Sequence, residues 1–276
     1  MIALRLTLPA AREEAAVTLL WELGTAGIEV QSAPEETLAL LAYFPIEQDE
    51  IPTLVMAIRR ELADATIEAA DVPDVDWVAR FRDGFRSFAV GSFQIIPAWE
   101  ARANLGPRAL RIDPGRAFGT GTHESTQLCV LLLERLAEQT ALGRVLDVGA
   151  GTGILALVAA RLGATFVVAS DNDAEALASC RQHATLNGVH LPVLCADGGR
   201  AVRPGLFDVL VANLMAPLLI ERAEELGALF GRSAILAGLL TGEVDDVRRA
   251  FRAFDPAPRV ECMGEWAALC LTRRVS

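Results

Sequence analysis

The first 70 residues alternate short apolar runs with two amphipathic stretches, which predicts a small α+β unit. The predicted strands are residues 2–8, 26–31, 37–43 and 65–70, and the predicted helices are residues 10–24 and 49–63. The resulting order, β-α-β-β-α-β, is typical of the ferredoxin-like arrangement.

From about residue 126 the apolar runs become continuous and alternate with helical stretches. A helical stripe of Leu128, Leu132 and Leu136 precedes the run "RVLDV". The helices predicted beyond it are residues 154–162, 174–186 and 216–230, followed by "VDDVRRAFRAF". The strands predicted between and after them are "TFVVASD", "LPVLCAD", "FDVLVANL", "SAILAGLL", "PRVECMG" and "WAALCLTRR". Continuous apolar strands between helices indicate a doubly wound, mostly parallel sheet covered on both faces.

A polar stretch with Pro73 separates these two patterns. The next segment, "WVARFRDGF", predicts a short helix with Trp77, Phe81 and Phe85 on one stripe. The sequence therefore predicts a small front domain at 1–72, a linker helix within 73–92, and an α/β domain at 93–276.

Composition narrows the class of protein. Of the 276 residues, 52% are hydrophobic, which suffices for a sizeable core. No apolar run approaches the ~20 residues that span a bilayer, and charges begin too early for a signal peptide, so we expect a cytoplasmic protein without a membrane partner. The five cysteines form no C-x-x-C pair and the histidines number three, so neither a disulfide framework nor a metal site is expected.

The negative charge is concentrated at the front of the chain. Residues 1–75 hold four Arg against fourteen Asp and Glu, a net charge of −10 out of −11 for the whole chain. Such a module repels nucleic-acid phosphates and attracts basic partners. A merely solubilising acidic surface is the alternative interpretation.

The stretch "VLDVGAGTGILAL" carries the strongest chemical signal. Gly149, Gly151 and Gly153 lie between an apolar strand and a helix, where glycine lets the backbone approach a ligand and the helix start offers free N–H groups. A dinucleotide loop would need glycine at position 154, where Ile154 stands. A Walker loop would need lysine, and the chain has none.

Acidic residues accompany this glycine loop. Asp171 ends the next apolar strand, 22 residues after Gly149, where a carboxylate can accept hydrogen bonds from both hydroxyls of a ribose. The alternative is a tight turn in which Asp171 only caps a helix. With Asp147 before the loop and Asp197 ending "CAD", the constellation resembles the class I methyltransferases that bind S-adenosylmethionine. That resemblance implies that Asp147 and the glycines lie at the cofactor, that Asp171 holds the ribose, and that Asp197 lies beside the adenine.

Three further motifs sharpen the resemblance. "DPGRAFGTGTHEST", "VANLMAPLL" and "GEWAAL" closely resemble segments of the ribosomal protein L11 methyltransferases, the PrmA family. The segment "DWVARFRDGFRSFAVGSFQIIPAW" looks like the linker helix and first strand of that family, and the acidic front looks like its substrate-recognition domain. The resemblance implies methylation of lysine and N-terminal amines of a basic ribosomal protein, free or on the large subunit. The acidic charge of residues 1–75 predicts no direct contact with nucleic acid.

The same resemblance implies roles for the segment before the first helix of the α/β domain. It would cover the cofactor, with Thr126 in contact from the first helical turn. Thr122 is the predicted N-cap, and we expect His123 to be structural rather than catalytic. Phe118, Gly119 and Thr120 of this covering segment are expected to contact the cofactor.

Asn213 in "VANL" is the predicted catalytic residue. It ends the fourth parallel strand, where its side-chain oxygen, or a nearby backbone carbonyl, can accept a hydrogen bond from the attacking amine. Asn213 is also expected to contact the cofactor. The alternative is a turn residue at the end of a strand. Many amino-methyltransferases carry Asn/Asp-Pro-Pro-aromatic at this place, and Asn-Leu-Met-Ala here disfavours a DNA base as substrate.

Two alternatives remain for the function of the protein. It could be a lysine methyltransferase of another protein, such as the beta subunit of electron-transfer flavoprotein, or a cofactor-binding module without catalysis.

Overall fold

The computed structural model describes residues 2–31, 37–70, 86–100, 106–113 and 123–273. The chain separates into two compact units, Met1–Arg80 and Phe81–Ser276, which are taken one at a time. The linker helix predicted within 73–92 lies largely outside the described residues, so the domain boundaries at 72 and 92 stay predictions.

The first unit has the predicted β-α-β-β-α-β order. Its elements are β1 Ile2–Pro9, a 3-10 turn Ala10–Arg12, α1 Glu13–Glu22, β2 Gly27–Gln31, β3 Thr37–Phe44, a 3-10 turn Gln48–Glu50, α2 Ile51–Glu61 and β4 Thr66–Ala70. The four strands form one antiparallel sheet in the order β2-β3-β1-β4. The ferredoxin-like prediction is confirmed.

Alternation along the strands builds the core of this unit. Leu4, Leu6 and Leu8 of β1 bury every second side chain, together with Leu40 of β3 and Ile58 of α2. Because successive strand residues point to opposite faces, this one-sided leucine pattern directs both helices to the same face of the sheet.

The second unit carries the remaining elements. A small sheet contains β5 Phe88–Val90, β6 Phe93–Pro97 and β7 Ala109–Ile112. The helices of the larger layer are α3 Glu124–Gln139, α4 Ile154–Arg161, α5 Ala174–Leu186, α6 Ala216–Glu221, α7 Ala223–Leu229 and α8 Val244–Phe251. Its strands are β8 Arg144–Val148, β9 Phe166–Asp171, β10 Val193–Cys195, β11 Phe207–Asn213, β12 Phe230–Leu240, β13 Arg259–Met263 and β14 Trp266–Thr272.

The seven-stranded sheet is mostly parallel and covered on both faces, as predicted. Its order is β10-β9-β8-β11-β12-β14-β13, and only the pairs β12–β14 and β13–β14 are antiparallel. From β8 the chain first builds β9 and β10 on one side, then β11 and β12 on the other. This reversal creates a crevice at the carboxyl ends of β8 and β11, the usual ligand position in open α/β sheets.

Two features depart from the sequence-based prediction. The strand Ala109–Ile112 was not predicted; it pairs with β6, and its Arg111 backbone exchanges hydrogen bonds with the side chain of Asn187 at the end of α5. The single helix predicted at 216–230 is wrong, because the backbone leaves helical geometry at Arg222 and divides it into α6 and α7. Within the described part of the chain, no helix is long and apolar enough to cross a membrane.

Candidate functional site

The glycine loop connects β8 to α4 in a conformation that favours glycine. Gly149, Gly151 and Gly153 have φ angles of 69°, 53° and 78°, in the left-handed region. The N–H groups of Gly149 and Ala150 both donate to the carbonyl oxygen of Ser170, at 2.8 and 3.0 Å. The loop is thereby fixed to β9, and its backbone faces the crevice.

Two of these glycines are also required by their neighbours. A Cβ on Gly149 would lie 2.5 Å from Cδ2 of Leu214, and one on Gly153 would lie 2.5 Å from Sγ of Cys180. Gly149 therefore allows the loop to approach the residue after Asn213, while Gly153 allows α4 to begin against α5. At Gly149, therefore, backbone rather than a side chain borders the ligand-binding space.

Asp171 ends β9 beside this loop. Its Oδ2 accepts the N–H of Gly151 at 2.9 Å, and its Oδ1 accepts the N–H of Asp173 at 3.0 Å. The N-cap of α5 is Asp173, whose Oδ1 accepts the N–H of Glu175, so the alternative that Asp171 caps this helix is wrong. Each oxygen of Asp171 retains a second lone pair, which suits a vicinal diol.

Asp147 lies beneath the loop rather than on its surface. Its side chain is buried, and Oδ2 accepts the N–H of Ala156 in the first turn of α4 at 3.0 Å. Burial, with a smaller contribution from the charge of Asp171, raises the pKa of Asp147 to about 7, although the Ala156 hydrogen bond opposes the shift. Asp147 thus fastens the start of α4 from below.

We expect Asp147→Asn to change how stability depends on pH. The stabilising contribution of the wild-type carboxyl is complete below its ordinary pKa of 3.8 and is lost as the pH rises through about 7, because the buried group must then ionise. Asparagine retains an acceptor for Ala156 and does not ionise. Urea unfolding measures the free energy of unfolding at pH 5 and at pH 8. From pH 5 to pH 8, this free energy should rise for the variant, relative to the wild type, by on the order of 2 kcal/mol. A difference independent of pH would contradict this account.

The crevice brings several predicted residues together. It is lined by Val148, Gly149, Asp171, Asn172, Ala196, Asp197, Gly198, Leu214, Leu218 and Arg222. The glycine loop, the acid of β9 and the acid after β10 therefore border one space. Asn172, Leu214, Leu218 and Arg222 were not predicted from the sequence; position next to a predicted site residue was the only available signal for Asn172 and Leu214.

His183 supports the same site from α5 and was also missed. It is buried; its Nε2 accepts the N–H of Asp113 at 2.9 Å, so Nδ1 carries the proton and donates to the carbonyl oxygen of Thr152 at 2.9 Å. One imidazole thus joins the glycine loop to the residue that precedes 114–122. The available signal was its helical spacing with the buried Ala176 and Cys180.

Asn213 ends β11 on the other side of β8. Its Nδ2 donates to Oγ1 of the buried Thr126 at 3.3 Å, which leaves Oδ1 as the acceptor that this side chain can offer. Thr126 lies in the first turn of α3, and its N–H donates to the carbonyl oxygen of His123 at 3.0 Å. The predicted catalytic and cofactor-contacting residues of β11 and α3 are thus in direct contact.

The N-cap of α3 differs from the prediction. The N-cap is His123 rather than Thr122, because the helix begins at Glu124 and Nδ1 of His123 accepts the N–H of Ser125. The imidazole ring also packs edge-on against Trp266 of "GEWAAL", with ring centroids 4.4 Å apart. Phe118, Gly119 and Thr120 lie outside the described residues, so their contact with the cofactor stays a prediction.

A bulge in β12 fixes the position of Asn213. Gly238 has a φ of 85°, and a Cβ there would lie 2.6 Å from the carbonyl oxygen of Leu214 and 2.9 Å from Oδ1 of Asn213. The N–H of Leu214 donates to the carbonyl oxygen of Ala237 at 3.0 Å. The close approach of β12 therefore holds the end of β11 in place.

Among the described residues, no cluster of His, Cys, Asp and Glu could hold a metal ion.

A doubly wound sheet, a glycine loop after its first strand, and an acid ending the second strand define a class I S-adenosylmethionine-dependent methyltransferase. The residues fit this cofactor, because the backbone of Gly149 borders the crevice while Asp171 offers paired acceptors. A family model described as "Ribosomal protein L11 methyltransferase (PrmA)" matches residues 2–274. The chain belongs to this family, and it is an S-adenosylmethionine-dependent protein methyltransferase.

Individual proteins agree with the family match. A ribosomal protein L11 methyltransferase of Myxococcus xanthus is 31% identical and aligns with 99% of this chain and 98% of its own length. One from Pseudomonas paraeruginosa is 39% identical over 85% of this chain and 81% of its own. A crystal structure of a ribosomal protein L11 methylase from Lactobacillus delbrueckii subsp. bulgaricus has a TM-score of 0.61 and 28% identity, and covers 69% of this chain and 100% of its own.

Proposed function

We propose that this enzyme methylates ribosomal protein L11 on lysine side chains and on the N-terminal amine. The observation that carries the proposal is the family match across both units, since residues 2–274 include the acidic front as well as the cofactor domain. The names of the relatives support this substrate, because each is described as a ribosomal protein L11 methyltransferase. A basic ribosomal protein is also the kind of partner that a front module with a net charge of −10 attracts.

The crevice supports part of the proposed set of cofactor contacts, because Gly149, Asp171 and Asp197 line it. Asp171 binds the ribose, Asp197 lies beside the adenine, and the backbone of Gly149, Gly151 and Gly153 borders the methionine part. Asp147 acts through the loop that it fastens from below. Phe118, Gly119, Thr120 and Thr126 complete the proposed cofactor contacts.

Bound S-adenosylmethionine supplies an electrophilic methyl group, so the protein's task is chiefly to position the amine and to bind it in its neutral form. Oδ1 of Asn213 accepts a hydrogen bond from the amine and aims its lone pair. The hydroxyl of Thr126 holds the Asn213 amide, which prevents it from turning its donor group toward the amine. A free lysine has a pKa of ~10.4, and an apolar surrounding lowers it toward the neutral, nucleophilic form.

Intact-mass analysis of purified L11 after incubation with enzyme and S-adenosylmethionine tests the proposal. We expect mass increments of whole methyl groups, and peptide mapping should locate them on lysines and the N-terminus. Methylation of another protein of a cell extract, such as the flavoprotein beta subunit, with L11 unmodified, would replace the proposed substrate. Cofactor binding without transfer to any protein would show a module that has lost catalysis.

We expect Asn213→Ala to lower kcat for L11 methylation by roughly 10- to 100-fold, because the amine loses its positioned acceptor. The dissociation constant for S-adenosylmethionine should change by much less. Asn213→Asp keeps Oδ1 but replaces the donor to Thr126, so its kcat should lie between those of the wild type and Asn213→Ala. Single-turnover rates at saturating cofactor measure the effect, and an unchanged rate in Asn213→Ala would exclude the assigned role.

A further inference from the structure

A charged cluster closes the side of the crevice that lies beyond β10. Nη2 of Arg222 is 2.6 Å from Oδ1 of Asp197, and Nη1 of Arg222 is 3.9 Å from Oε1 of Glu225. Arg222 stands at the break between α6 and α7, and both it and Asp197 line the crevice together with Gly149 and Asp171. The cluster therefore belongs to the wall of the cofactor site.

The two partners differ in how firmly they are held. The side chain of Asp197 is 51% exposed and follows a strand of only three residues, whereas that of Arg222 is 13% exposed. Gly198 packs against Arg222: a Cβ there would lie 2.5 Å from Nη1. Arg222 is thus the fixed member, and an otherwise loosely held carboxylate is oriented by it.

The two oxygens of Asp197 are not equivalent. Oδ1 is occupied by Arg222, whereas the contact near Oδ2 is Nη1 of Arg200, 4.0 Å away on a side chain that is 71% exposed. A 4.0 Å ion pair is beyond hydrogen-bond distance, so Oδ2 keeps its capacity to accept. Arg222 also lowers the pKa of Asp197 through its hydrogen bond, which keeps the carboxylate ionised and unable to donate.

We propose that Arg222 is a positioning residue that orients Asp197 so that Oδ2 accepts a hydrogen bond from the 6-amino group of the adenine, and thereby sets the enzyme's preference for an adenosyl cofactor. The inference rests on the proposed placement of the adenine beside Asp197. It adds that the selectivity depends on a residue of the α6–α7 break, not on Asp197 alone.

The test compares two ligands on the full-length enzyme by calorimetry. S-Adenosylhomocysteine carries the 6-amino group, and its 6-deamino purine analogue lacks it. The ratio of their dissociation constants isolates the hydrogen bond to that group. We expect a ratio of at least about tenfold in the wild type, as a hydrogen bond to a charged acceptor implies. In Asp197→Ala the ratio should fall to near one.

In Arg222→Met we expect the ratio to fall by roughly 2- to 10-fold, because the ligand must then immobilise the carboxylate itself. Arg222→Lys, which restores one charged donor, should recover part of the ratio. Arg200→Met removes the neighbouring, more exposed arginine and is the matched control; it should leave the ratio unchanged.

A loss of affinity in Arg222→Met that is equal for both ligands would reduce Arg222 to a structural role and overturn the proposal. An equal fall of the ratio in Arg200→Met would do the same, because general positive charge would then be responsible. If the wild type binds S-adenosylhomocysteine but Asp197→Ala leaves the ratio unchanged, the placement of the adenine beside Asp197 is itself wrong.

Discussion

Asp171→Ala is expected to weaken binding of S-adenosylmethionine by roughly 10²–10³-fold, because two hydrogen bonds from ribose hydroxyls to a charged acceptor are lost together. The same substitution removes the acceptor of the Gly151 N–H, so the glycine loop is loosened as well. Titration calorimetry at fixed salt measures the effect. Unaltered affinity would refute the assignment of this carboxylate to the ribose.

Two further variants separate binding from folding. Asp171→Asn keeps one oxygen acceptor and should show an intermediate loss. Asp173→Asn is the matched control two residues away: asparagine caps a helix as well as aspartate does, so the bond to the Glu175 N–H and the cofactor affinity should both be retained. Thermal unfolding without ligand should show all three variants folded at the assay temperature.

Deletion of residues 1–75 is expected to abolish methylation of L11, to below about 1% of the intact enzyme's kcat/KM, while cofactor affinity is retained. The binding energy of a remote substrate surface is used to position the reacting group, so its loss lowers the rate at the reacting centre. The two units have separate buried cores, which supports folding of the second without the first.

Two controls make this deletion informative. A short lysine peptide, which is too small to need a recognition domain, should be methylated at the same slow rate by both forms. For the intact enzyme, the KM for L11 should rise with salt concentration, because attraction to an acidic surface is screened. Normal L11 methylation by the shortened enzyme would show that the front unit does not recognise the substrate.

The sequence predicted the fold because its apolar pattern repeats at the right periods. Leu4, Leu6 and Leu8 show the strand period clearly. The continuous runs around "RVLDV" and "FDVLVANL" alternate with helical stretches, which is typical of a sheet covered on both faces. The same periodicity concealed the break at Arg222: buried Ala216, Leu219, Ala223 and Leu226 keep helical spacing across it. A backbone change that preserves the pattern leaves no trace in it.

Site residues were predictable where backbone geometry requires a residue type. The glycines of the loop, whose φ angles are positive, belong to this group, and Gly149 lines the crevice together with Asp171, the acid that ends β9. The roles of His183 and Arg222 were not predicted, because their partners are distant in sequence. His183 contacts Asp113 and Thr152, and Arg222 contacts Asp197. The N-cap of α3 was misplaced by one residue, because threonine is the commoner cap and the imidazole of His123 takes that role here.

The bulge at Gly238 has a practical consequence for anyone who mutagenises this enzyme. In a saturation library, position 238 should tolerate as few substitutions as Asn213, although no ligand need ever touch it. Even alanine there would press on the carbonyl oxygen of Leu214 and move the side-chain amide of Asn213 away from Thr126. Attempts to widen the range of accepted amines should therefore leave β12 intact at this point and vary the exposed Met215 instead.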